Sequence, residues 1–559
     1  MEIRFDTYYD NDELAAALRR LAETRPSIFE LRSLGTSHEG RDIPLVVVTN
    51  RETGKDTGKP GFWVDANIHA TEVAGTMAAV HLLVTIAEGY GQDAKITRIV
   101  DEQVIYVAPR LNPDGAALAL CDKPRMIRSG TRPYPEMERA DGLHEEDADG
   151  DGRVLQMRIE DPAGDWKVSD RDPRLLVKRA MHEEGGTYYR LLPEGNVENF
   201  DGFDIQLAPD LEGLDFNRNF PSGWKPEGEQ LGAGDFPGSE PEIRALLEFV
   251  SAHPNIFGAI TFHTFSRVIL RPFSSKSDDE MDTTDLWVYQ AIGERGTELT
   301  KYPCCSVNHD FRYHPKQVIG GAFDDWAYEH LGVFAFTIEL WDLATASGIT
   351  EKAEKKKFIE WFRIHPVEDD YKILDFVSEH APKALVPGGV QTSQLGRLEI
   401  GGWDWMYSWR NPPHALLEAE IEPHATFVLD FASAAPRLRW IDTRITNLGD
   451  GRFHVHAVVE NVGFFSTSGS MHARKVKRAR PVTLVLGVPD GCSLERGKPR
   501  KEIGHLEGRS NKMDVTFSYS PTDNRGQAEW VLKAPAGTTV TLEARSDRAG
   551  TLKKEIVLE

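Results

Sequence analysis

The sequence predicts an α/β fold with a largely parallel or mixed sheet, followed by a small all-β sandwich domain. Over residues 11–386, short apolar runs rich in β-branched and aromatic residues alternate with segments whose apolar residues recur every three or four positions. This alternation is typical of the strands and helices of an α/β fold. After about residue 436 only strand-like runs separated by Gly and Asn remain, which indicates a sandwich of roughly 120 residues.

Five runs in the first part are predicted to be buried strands, because they are too short for helices and almost wholly apolar. Four longer segments are predicted to be amphipathic helices, because their apolar residues fall on one face. The predicted strands are Leu45–Val48, Phe62–Asn67, Val104–Pro109, Phe257–Phe262 and Val333–Leu340. The predicted helices are Thr76–Glu88, Glu242–Ala252, Asp285–Lys301 and Phe323–His330.

The chain length requires more than one domain, since 559 residues exceed what a single core holds. Residues 132–213 are rich in Asp, Glu, Gly and Pro without a sustained period, and we interpret them as a long insertion. We expect a first domain over residues 1–435 and a β-sandwich domain over residues 436–559. The sandwich strands are predicted at Arg452–Glu460, Pro481–Leu486, Lys512–Tyr519, Ala528–Lys533 and Thr538–Ala544.

Composition and charge argue against several classes of partner. The formal net charge is −23, so we expect neither nucleic acid nor a membrane as a partner. The four cysteines form no CxxC pair, which excludes a disulfide framework and a cysteine zinc cage. No apolar run reaches the roughly 18 residues that span a bilayer, and no signal peptide is evident at the start. We expect a cytoplasmic protein, or a secreted one if a leader was removed.

An HxxE motif, His69 to Glu72, directly follows the predicted strand Phe62–Asn67. An imidazole and a carboxylate at this spacing can converge on one metal ion. A second HxxE, His365 to Glu368, lies in charged, helix-terminating sequence without partners. The two motifs share their spacing, and only the context favours the first.

A metal site of this kind needs a third ligand, and His263 is the best candidate because it ends another predicted strand. In open α/β sheets, sites form beyond the carboxyl ends of strands. Taken alone, His263 is better explained as a core histidine at a strand end. Glu339 adds a carboxylate inside an apolar strand, where it is costly unless it is paired or functional.

Seven short motifs follow one another in order along the first part of the chain. Their order resembles that of the zinc carboxypeptidases of the carboxypeptidase A/B type, over roughly residues 5–345 without the insertion. An ordered set is far more specific than any one motif. The motifs are His69–Glu72, Asn112–Gly115, Arg125–Arg128, Asp215–Asn219, Thr261–His263, Gly320–Trp326 and Phe336–Leu340.

The resemblance implies a three-layer α/β/α fold and a zinc metallocarboxypeptidase, a hydrolase that acts in proteolysis. His69, Glu72 and His263 would bind one zinc ion. Asp215 matches the acid that orients a ligand histidine and raises its basicity. Glu339 matches the general base toward the attacking water.

The resemblance also assigns residues to the peptide. Arg128 matches the group that stabilises the oxyanion. Asn217 and Arg218 match the pair that grips the C-terminal carboxylate, for which a guanidinium offers two parallel hydrogen bonds. The implied partner is therefore a peptide with a free C-terminal carboxylate.

Three positions depart from the family pattern. Thr71 stands where an arginine is common within HxxE, so a substrate contact of the family is missing. The family's mobile tyrosine falls at Lys316, and Tyr313 lies close by as a substitute. One extra residue leaves two candidates for the side-chain pocket: Phe323, which suits apolar side chains, and Asp324, which would attract Lys or Arg. The second is favoured.

The insertion carries its own motif. Asp147, Asp149 and Asp151 followed by Gly152 match the first half of an EF-hand-type calcium loop, but Arg158 stands where a bidentate Glu belongs. A calcium-bound loop and a solvated acidic turn are both open. Because both ends of the insertion carry site residues, we expect it to overhang the cleft and to favour small peptides or an unusual C-terminus over large proteins.

Three functions compete at this point. The first is a zinc carboxypeptidase, with a preference for basic C-terminal residues. The second is an amidohydrolase of the same fold that acts on a small acylated amino acid or a peptidoglycan stem peptide. The third is a catalytically silent binding or adhesion protein, which would need a damaged constellation. None of the zinc ligands, Glu339, Arg128 or Arg218 is missing from the sequence.

Overall fold

The N-terminal part of the chain supplies four strands of the central sheet. In this computed structural model, the structure describes residues 3–312, 318–350, 358–510 and 521–559. The predicted strands at 45–48, 62–67 and 104–109 are all present, within a residue or a few of their expected ends. In order, the elements are α1 (Asn11–Thr24), β1 (Phe29–Thr36), β2 (Asp42–Val48), β3 (Gly61–Ala66), α2 (Ala74–Gly89), α3 (Ala94–Glu102), β4 (Val104–Ala108) and α4 (Pro113–Ala119).

The predicted insertion, residues 132–213, contains six strands of three to five residues. Strands this short are too brief to leave a periodic pattern in the sequence. They are β5 (Gly142–Glu145), β6 (Gln156–Glu160), β7 (Trp166–Val168), β8 (Leu176–Lys178), β9 (Tyr189–Pro193) and β10 (Gly195–Glu198).

The chain then returns to the central sheet. Its elements here are α5 (Pro241–Ala252), β11 (Ile256–Thr264), β12 (Val268–Arg271), α6 (Thr283–Thr300), β13 (Cys304–Ser306), α7 (Val307–Asp310), α8 (Phe323–Leu331), β14 (Phe334–Leu340) and α9 (Leu343–Ala346). A further segment follows with α10 (Phe358–Arg363), α11 (Val367–His380), β15 (Leu385–Ser393), β16 (Gly396–Trp403) and α12 (Leu417–Ser433).

The central sheet has eight strands in the order β1-β2-β4-β3-β11-β14-β12-β13. Strands β4, β3, β11 and β14 run parallel, while β1, β2 and β12 pair antiparallel with their neighbours, so the sheet is mixed. One hydrophobic cluster packs α2, α6 and α12 on one face, and a second packs α5 and α8 on the other. The predicted three-layer α/β/α architecture is confirmed.

Four strands of the insertion join β15 and β16 in a separate sheet of order β15-β16-β6-β9-β7-β8. The pairing of β6 with β16 joins residues about 240 positions apart, with Arg158 opposite Glu399. Arg158 Nε donates to Glu399 Oε2 at 2.9 Å across this pair. The insertion is therefore attached to the segment that follows the last central strand.

The C-terminal region forms two four-stranded antiparallel sheets, β17-β18-β22-β20 and β21-β19-β23-β24, around one apolar cluster. This confirms the predicted all-β sandwich; the predicted strand at 512–519 lies outside the described residues. The elements are β17 (Leu438–Gly449), β18 (Arg452–Asn461), α13 (Met471–Lys475), β19 (Val482–Gly487), β20 (Ser493–Arg496), β21 (Arg500–Gly504), β22 (Arg525–Lys533), β23 (Thr539–Ser546) and β24 (Gly550–Val557).

The expectation that only strand-like runs occur after residue 436 is wrong at α13. Five residues are too few to show a helical period, and tertiary contacts hold this helix. Asp285 of α6 accepts hydrogen bonds from the backbone of Met471 and His472, at 2.8 and 2.9 Å. The buried Arg548 donates to the carbonyl of Gly332 at 2.7 Å, so the sandwich packs directly on the end of α8.

Candidate functional site

The candidate site lies at the carboxyl ends of three adjacent parallel strands, β3, β11 and β14. Asn67 ends β3 in a left-handed turn, with φ 57°, and its amide donates to the carbonyl of His69 at 2.7 Å. His263 and Glu339 occupy paired positions on β11 and β14. Parallel strands end at the same sheet edge, so side chains separated by up to 270 positions meet there.

His69, Glu72 and His263 converge, and all three are buried. His69 Nδ1 lies 2.9 Å from Glu72 Oε1, and His263 Nδ1 lies 3.0 Å from Glu72 Oε2. The two Nδ1 atoms are 3.1 Å apart. Ligand atoms about 2.0–2.2 Å from one tetrahedral zinc ion are about 3.3–3.6 Å apart, which is within a few tenths of an ångström of these separations, so this donor set fits zinc.

Asp215 contacts His69 on the side of the ring that faces away from Glu72 and His263. Its Oδ1 lies 3.1 Å from His69 Nε2, which leaves the Nδ1 lone pair of His69 directed at the other two donors. Burial alone would raise the pKa of Asp215, but the charges of Arg128, Arg218 and His69 outweigh it and hold the pKa well below its ordinary value. Asp215 therefore stays ionised and fixes the orientation of His69.

Glu72 is ionised for a similar reason. Burial opposes its charge, but His69 and His263 outweigh that effect and hold its pKa well below its ordinary value. The backbone N–H of Thr264 also donates to Glu72 Oε2 at 3.1 Å. An ionised carboxylate between two imidazoles is the protonation state that a metal ligand needs.

Glu339 lies beside this cluster with an unsatisfied oxygen. Its Oε2 is buried and has no hydrogen-bond partner among the described residues, and the same holds for His263 Nε2. Burial, and then the charge of Glu72, raise the pKa of Glu339 to about 7. A carboxyl group with a pKa near neutrality can both accept and return a proton.

Arg128 reaches the cluster from the segment after α4. The carbonyl of Arg128 accepts from the backbone N–H of Ala70 at 3.0 Å, which aligns this segment with the HxxE turn. Its Nη1 lies 3.2 Å from Glu72 Oε1, and its Nε donates to Asp215 Oδ2 at 3.0 Å. The guanidinium thus stands next to the donor set and is partly exposed to the cleft.

Asn217 and Arg218 follow Asp215 in a short helical turn. Asn217 Oδ1 accepts from the backbone N–H of Phe323 at 2.9 Å, which ties this turn to the start of α8. Arg218 Nη1 donates to the carbonyl of Asn217 at 2.8 Å, and its Nη2 lies 3.9 Å from Asp215 Oδ2. The structure thus places both residues near Asp215, as the motif order predicts.

The two candidates for the side-chain pocket have different surroundings. Phe323 packs against Phe220 and Trp326 within the second hydrophobic cluster. Asp324 is buried, and burial raises its pKa although the charges of His263 and Arg218 act against that rise. Asp324 is therefore the candidate within electrostatic reach of the site.

The acidic motif of the insertion folds into a self-contained turn. The oxygens of Asp147, Asp149 and Asp151 come together, but Asp147 accepts from the backbone of Gly150 and Gly152 at 2.6 and 3.0 Å. These bonds hold the segment in a partly solvated acidic turn. Within the described ranges no other feature points to calcium, and calcium binding receives no support.

The candidates for the mobile tyrosine and the second HxxE motif do not contribute to the described site. Tyr313 and Lys316 lie outside the described residues. His365 of the second HxxE stacks on Trp361 with ring centroids 4.4 Å apart, and its Nε2 lies 3.0 Å from Asp370 Oδ1. This motif is thus a structural contact around α11, as its sequence context indicates.

Sequence reasoning missed three site neighbours from the segment after β16. Arg410 Nη1 lies 3.6 Å from Glu72 Oε1. Asn411 Nδ2 donates to the carbonyl of Thr71 at 2.7 Å. Glu420 of α12 accepts from the backbone N–H of Trp341, just after Glu339, at 3.2 Å. No local pattern marks these positions, because each acts on residues at least 79 positions away.

The sequence model of a family described as zinc carboxypeptidase matches residues 14–358, which is more than half of the chain. The chain belongs to the zinc carboxypeptidase family. It is therefore a metallocarboxypeptidase, a zinc-dependent hydrolase, and the resemblance seen in the motifs is confirmed. A second match, to a domain of unknown function, covers residues 437–557.

Among curated relatives, this zinc carboxypeptidase is 26% identical to carboxypeptidase A2 of Rattus norvegicus over 381 residues, covering 65% of this chain and 72% of the relative. It is 23% identical to carboxypeptidase A1 of Rattus norvegicus over 363 residues, covering 63% and 68%. Among solved structures, it is similar to the carboxypeptidase A of Helicoverpa armigera, with a TM-score of 0.40 at 17% identity, covering 68% and 76%. No described helix has the length and apolar character to cross a membrane.

Proposed function

We propose that this zinc carboxypeptidase releases the C-terminal residue of short peptides, with preference for Lys or Arg at that end. One observation carries the proposal: three metal-type donor atoms converge beside the buried carboxylate of Glu339, whose Oε2 has no hydrogen-bond partner among the described residues. His69 Nδ1, Glu72 and His263 Nδ1 would hold zinc. Zinc bound there supplies Lewis-acid activation of water and of the scissile carbonyl.

Glu339 moves the protons. As a carboxylate it takes a proton from the attacking water while the new carbon–oxygen bond forms. It then returns that proton to the amine as the carbon–nitrogen bond breaks. A pKa of about 7 suits both directions of transfer near neutral pH.

Arg128 stabilises the negative charge that develops on the scissile carbonyl oxygen. Its Nε is held by Asp215 and its Nη1 faces Glu72, so the guanidinium is fixed before the substrate arrives. A donor that is already oriented loses little free energy when the charge develops.

Asn217 and Arg218 bind the terminal carboxylate. The Nη2 atom of Arg218 is 3.9 Å from its nearest acidic oxygen, which is longer than a tight ion pair. The Oδ1 atom of Asn217 is used by Phe323, so its amide N–H₂ is the group that can face a carboxylate. Together they explain selection of a free C-terminus.

Asp324 would lie at the base of the pocket for the released side chain. A buried carboxylate is costly unless a cation compensates it, and a substrate Lys or Arg supplies one. The packing of Phe323 in the core supports this choice over the apolar alternative.

The insertion supports the preference for short peptides. A cavity of about 590 Å³ lies between the insertion sheet and the segment around α11, and Phe362 and Trp405 line it. The rings of these two residues contact Phe265, two positions after His263. The insertion and this later segment thus line one cavity that reaches the neighbourhood of His263, which supports a preference for short peptides.

A panel of short peptides tests the proposal. We expect release of C-terminal Lys or Arg faster than Phe, and no release from the same peptides with an amidated C-terminus. Cleavage of amidated peptides, or of acylated amino acids alone, would instead favour an amidohydrolase. A preference for D-amino acid termini would point to stem peptides.

A further inference from the structure

Arg410 places a second guanidinium, besides that of Arg128, next to the candidate zinc site. It ends the π-helical turn Met406–Arg410 and lies beyond residues 14–358, which match the family. Its Nη1 lies 3.6 Å from Glu72 Oε1, and Arg128 Nη1 lies 3.2 Å from the same oxygen. The Arg410 side chain is 25% exposed, so it borders the cleft as well as the buried carboxylate.

The neighbouring residue fixes Arg410 in this position. Asn411 is fully buried, and its Nδ2 donates to the carbonyl of Thr71 at 2.7 Å. Its Oδ1 accepts from the backbone N–H of Ala74 at 3.0 Å. Both partners flank Glu72, so the turn that carries Arg410 is anchored on each side of a candidate zinc ligand.

Arg410 and Arg218 have different surroundings. The guanidinium of Arg410 lies over the ring of Phe265, 5.3 Å from its centroid. The same ring makes an edge-to-face contact with Trp405. Trp405 lines the cavity beneath the insertion. Arg218 instead follows Asn217, which is bonded to the start of α8. The two guanidiniums are therefore held by different segments of the chain.

We propose that Arg410 binds the substrate on the amino-terminal side of the scissile bond, by donating to the carbonyl oxygen of the preceding residue or acyl group. This rests on the proposed function. With the terminal carboxylate at Arg218 and the scissile carbonyl at Arg128, that oxygen is the next acceptor, about 3.5 Å of extended chain further on. A guanidinium next to an aromatic face suits a peptide carbonyl, since it offers several donors in one plane.

Two substrates distinguish binding of this carbonyl oxygen by Arg410 from a general contribution of Arg410 to activity. The first is a dipeptide ending in Lys with an N-acetyl group, whose acetyl carbonyl is the proposed acceptor. The second is the same dipeptide with a free amino terminus, which lacks that oxygen. For Arg410→Met we expect kcat/KM to fall about 10- to 100-fold further on the acetylated than on the free dipeptide, mainly through KM. Arg410→Lys should recover part of this difference.

Arg474→Met is the matched control, because Arg474 has a similar exposure of 23% and pairs with Glu507 in the sandwich. It should leave the ratio between the two substrates unchanged. A second readout avoids turnover: the affinity of the acetylated dipeptide for Glu339→Gln, measured by calorimetry, should fall about tenfold or more when Arg410→Met is added.

The outcomes distinguish the two proposals. If the wild-type protein cleaves both dipeptides and Arg410→Met loses activity equally on both, the assignment of Arg410 is overturned while the proposed function stands. Unchanged affinity in the calorimetric comparison also overturns it. If the wild-type protein cleaves neither dipeptide, the proposed function and this inference fail together.

Discussion

His263 and Glu339 lie directly opposite each other on the neighbouring parallel strands β11 and β14. Paired residues of parallel strands project to the same side of a sheet, so a candidate zinc ligand and a buried carboxylate emerge together. The sheet register therefore places the proposed general base, Glu339, next to the candidate zinc site. This relationship explains why β14 carries a costly buried acid in an otherwise apolar strand.

Glu339→Gln should separate catalysis from metal binding. The amide keeps the shape of the side chain but cannot accept the proton of water, so kcat should fall about 10²- to 10⁴-fold. Zinc content should stay at the wild-type value, because Glu339 lies outside the donor set. Peptidase assays and metal analysis on one preparation check this. A variant with near wild-type kcat would remove Glu339 from the mechanism.

Asp215→Asn should weaken zinc binding without removing a ligand. The amide cannot stabilise the Nε2–H tautomer of His69 as a carboxylate does, so the affinity for zinc should fall about 10- to 100-fold. Competition with a chelator measures this affinity. Asp279→Asn, an exposed position on the surface, is the control. Equal affinities for the wild type and Asp215→Asn would contradict the role of Asp215.

Asp324→Ala should change substrate preference. Loss of one partner of a buried charge pair costs about 2–5 kcal/mol, so kcat/KM for C-terminal Lys should fall at least about 30-fold relative to Phe. The matched control is Asp325→Asn, because both oxygens of Asp325 accept from the backbone N–H of Ser274. It should alter stability and leave the Lys-to-Phe ratio unaffected. A ratio that Asp324→Ala does not change would favour an apolar pocket.

His424 should make the fold sensitive to acid. Burial, and then the charge of Arg267, lower the pKa of His424 to about 3, against about 6.5 in the unfolded chain. The unfolded state therefore binds more protons between these values, and stability present above pH 6.5 is lost as the pH falls toward 3. The loss is about 1.4 kcal/mol per pH unit from this group.

His424→Leu should remove that dependence. The side chain packs near Phe262 and Tyr302, and neither ring nitrogen has a hydrogen-bond partner in the described part of the chain. Between pH 7 and pH 4 the variant should lose about 3 kcal/mol less unfolding free energy than the wild type. Denaturant titrations at both pH values measure this, with the more exposed His380→Gln as the control. Parallel pH profiles for wild type and His424→Leu would refute it.

The sequence predicts those parts of the site that follow the ends of buried strands. His69 and His263 belong to this class, because each follows or ends a short apolar run, and Glu339 is the only charged residue of another such run; parallel strands bring these ends together. The fold class follows from the same alternation. The sequence favours Asp324 over Phe323 for the side-chain pocket, and the packing of Phe323 in the second hydrophobic cluster supports that proposal.

Contacts between segments far apart in the chain could not be predicted, because they leave no local pattern in the sequence. Asn411 acts on Thr71 across 340 positions, and its sequence neighbourhood shows no motif for that role. The strands of the insertion are too short for a period, and β6 finds its partner in β16 far along the chain. Helix α12 contains Pro423. Because proline is unfavourable inside a helix, the sequence does not predict this helix, which tertiary packing stabilises.

The metal content of the purified chain tests the central claim most directly. The convergence of His69, Glu72 and His263 predicts close to one zinc per chain, and loss of that zinc in His263→Ala while the secondary structure is kept. Elemental analysis after dialysis measures both. A wild-type protein without zinc, or a His263→Ala variant that retains it, would contradict the account.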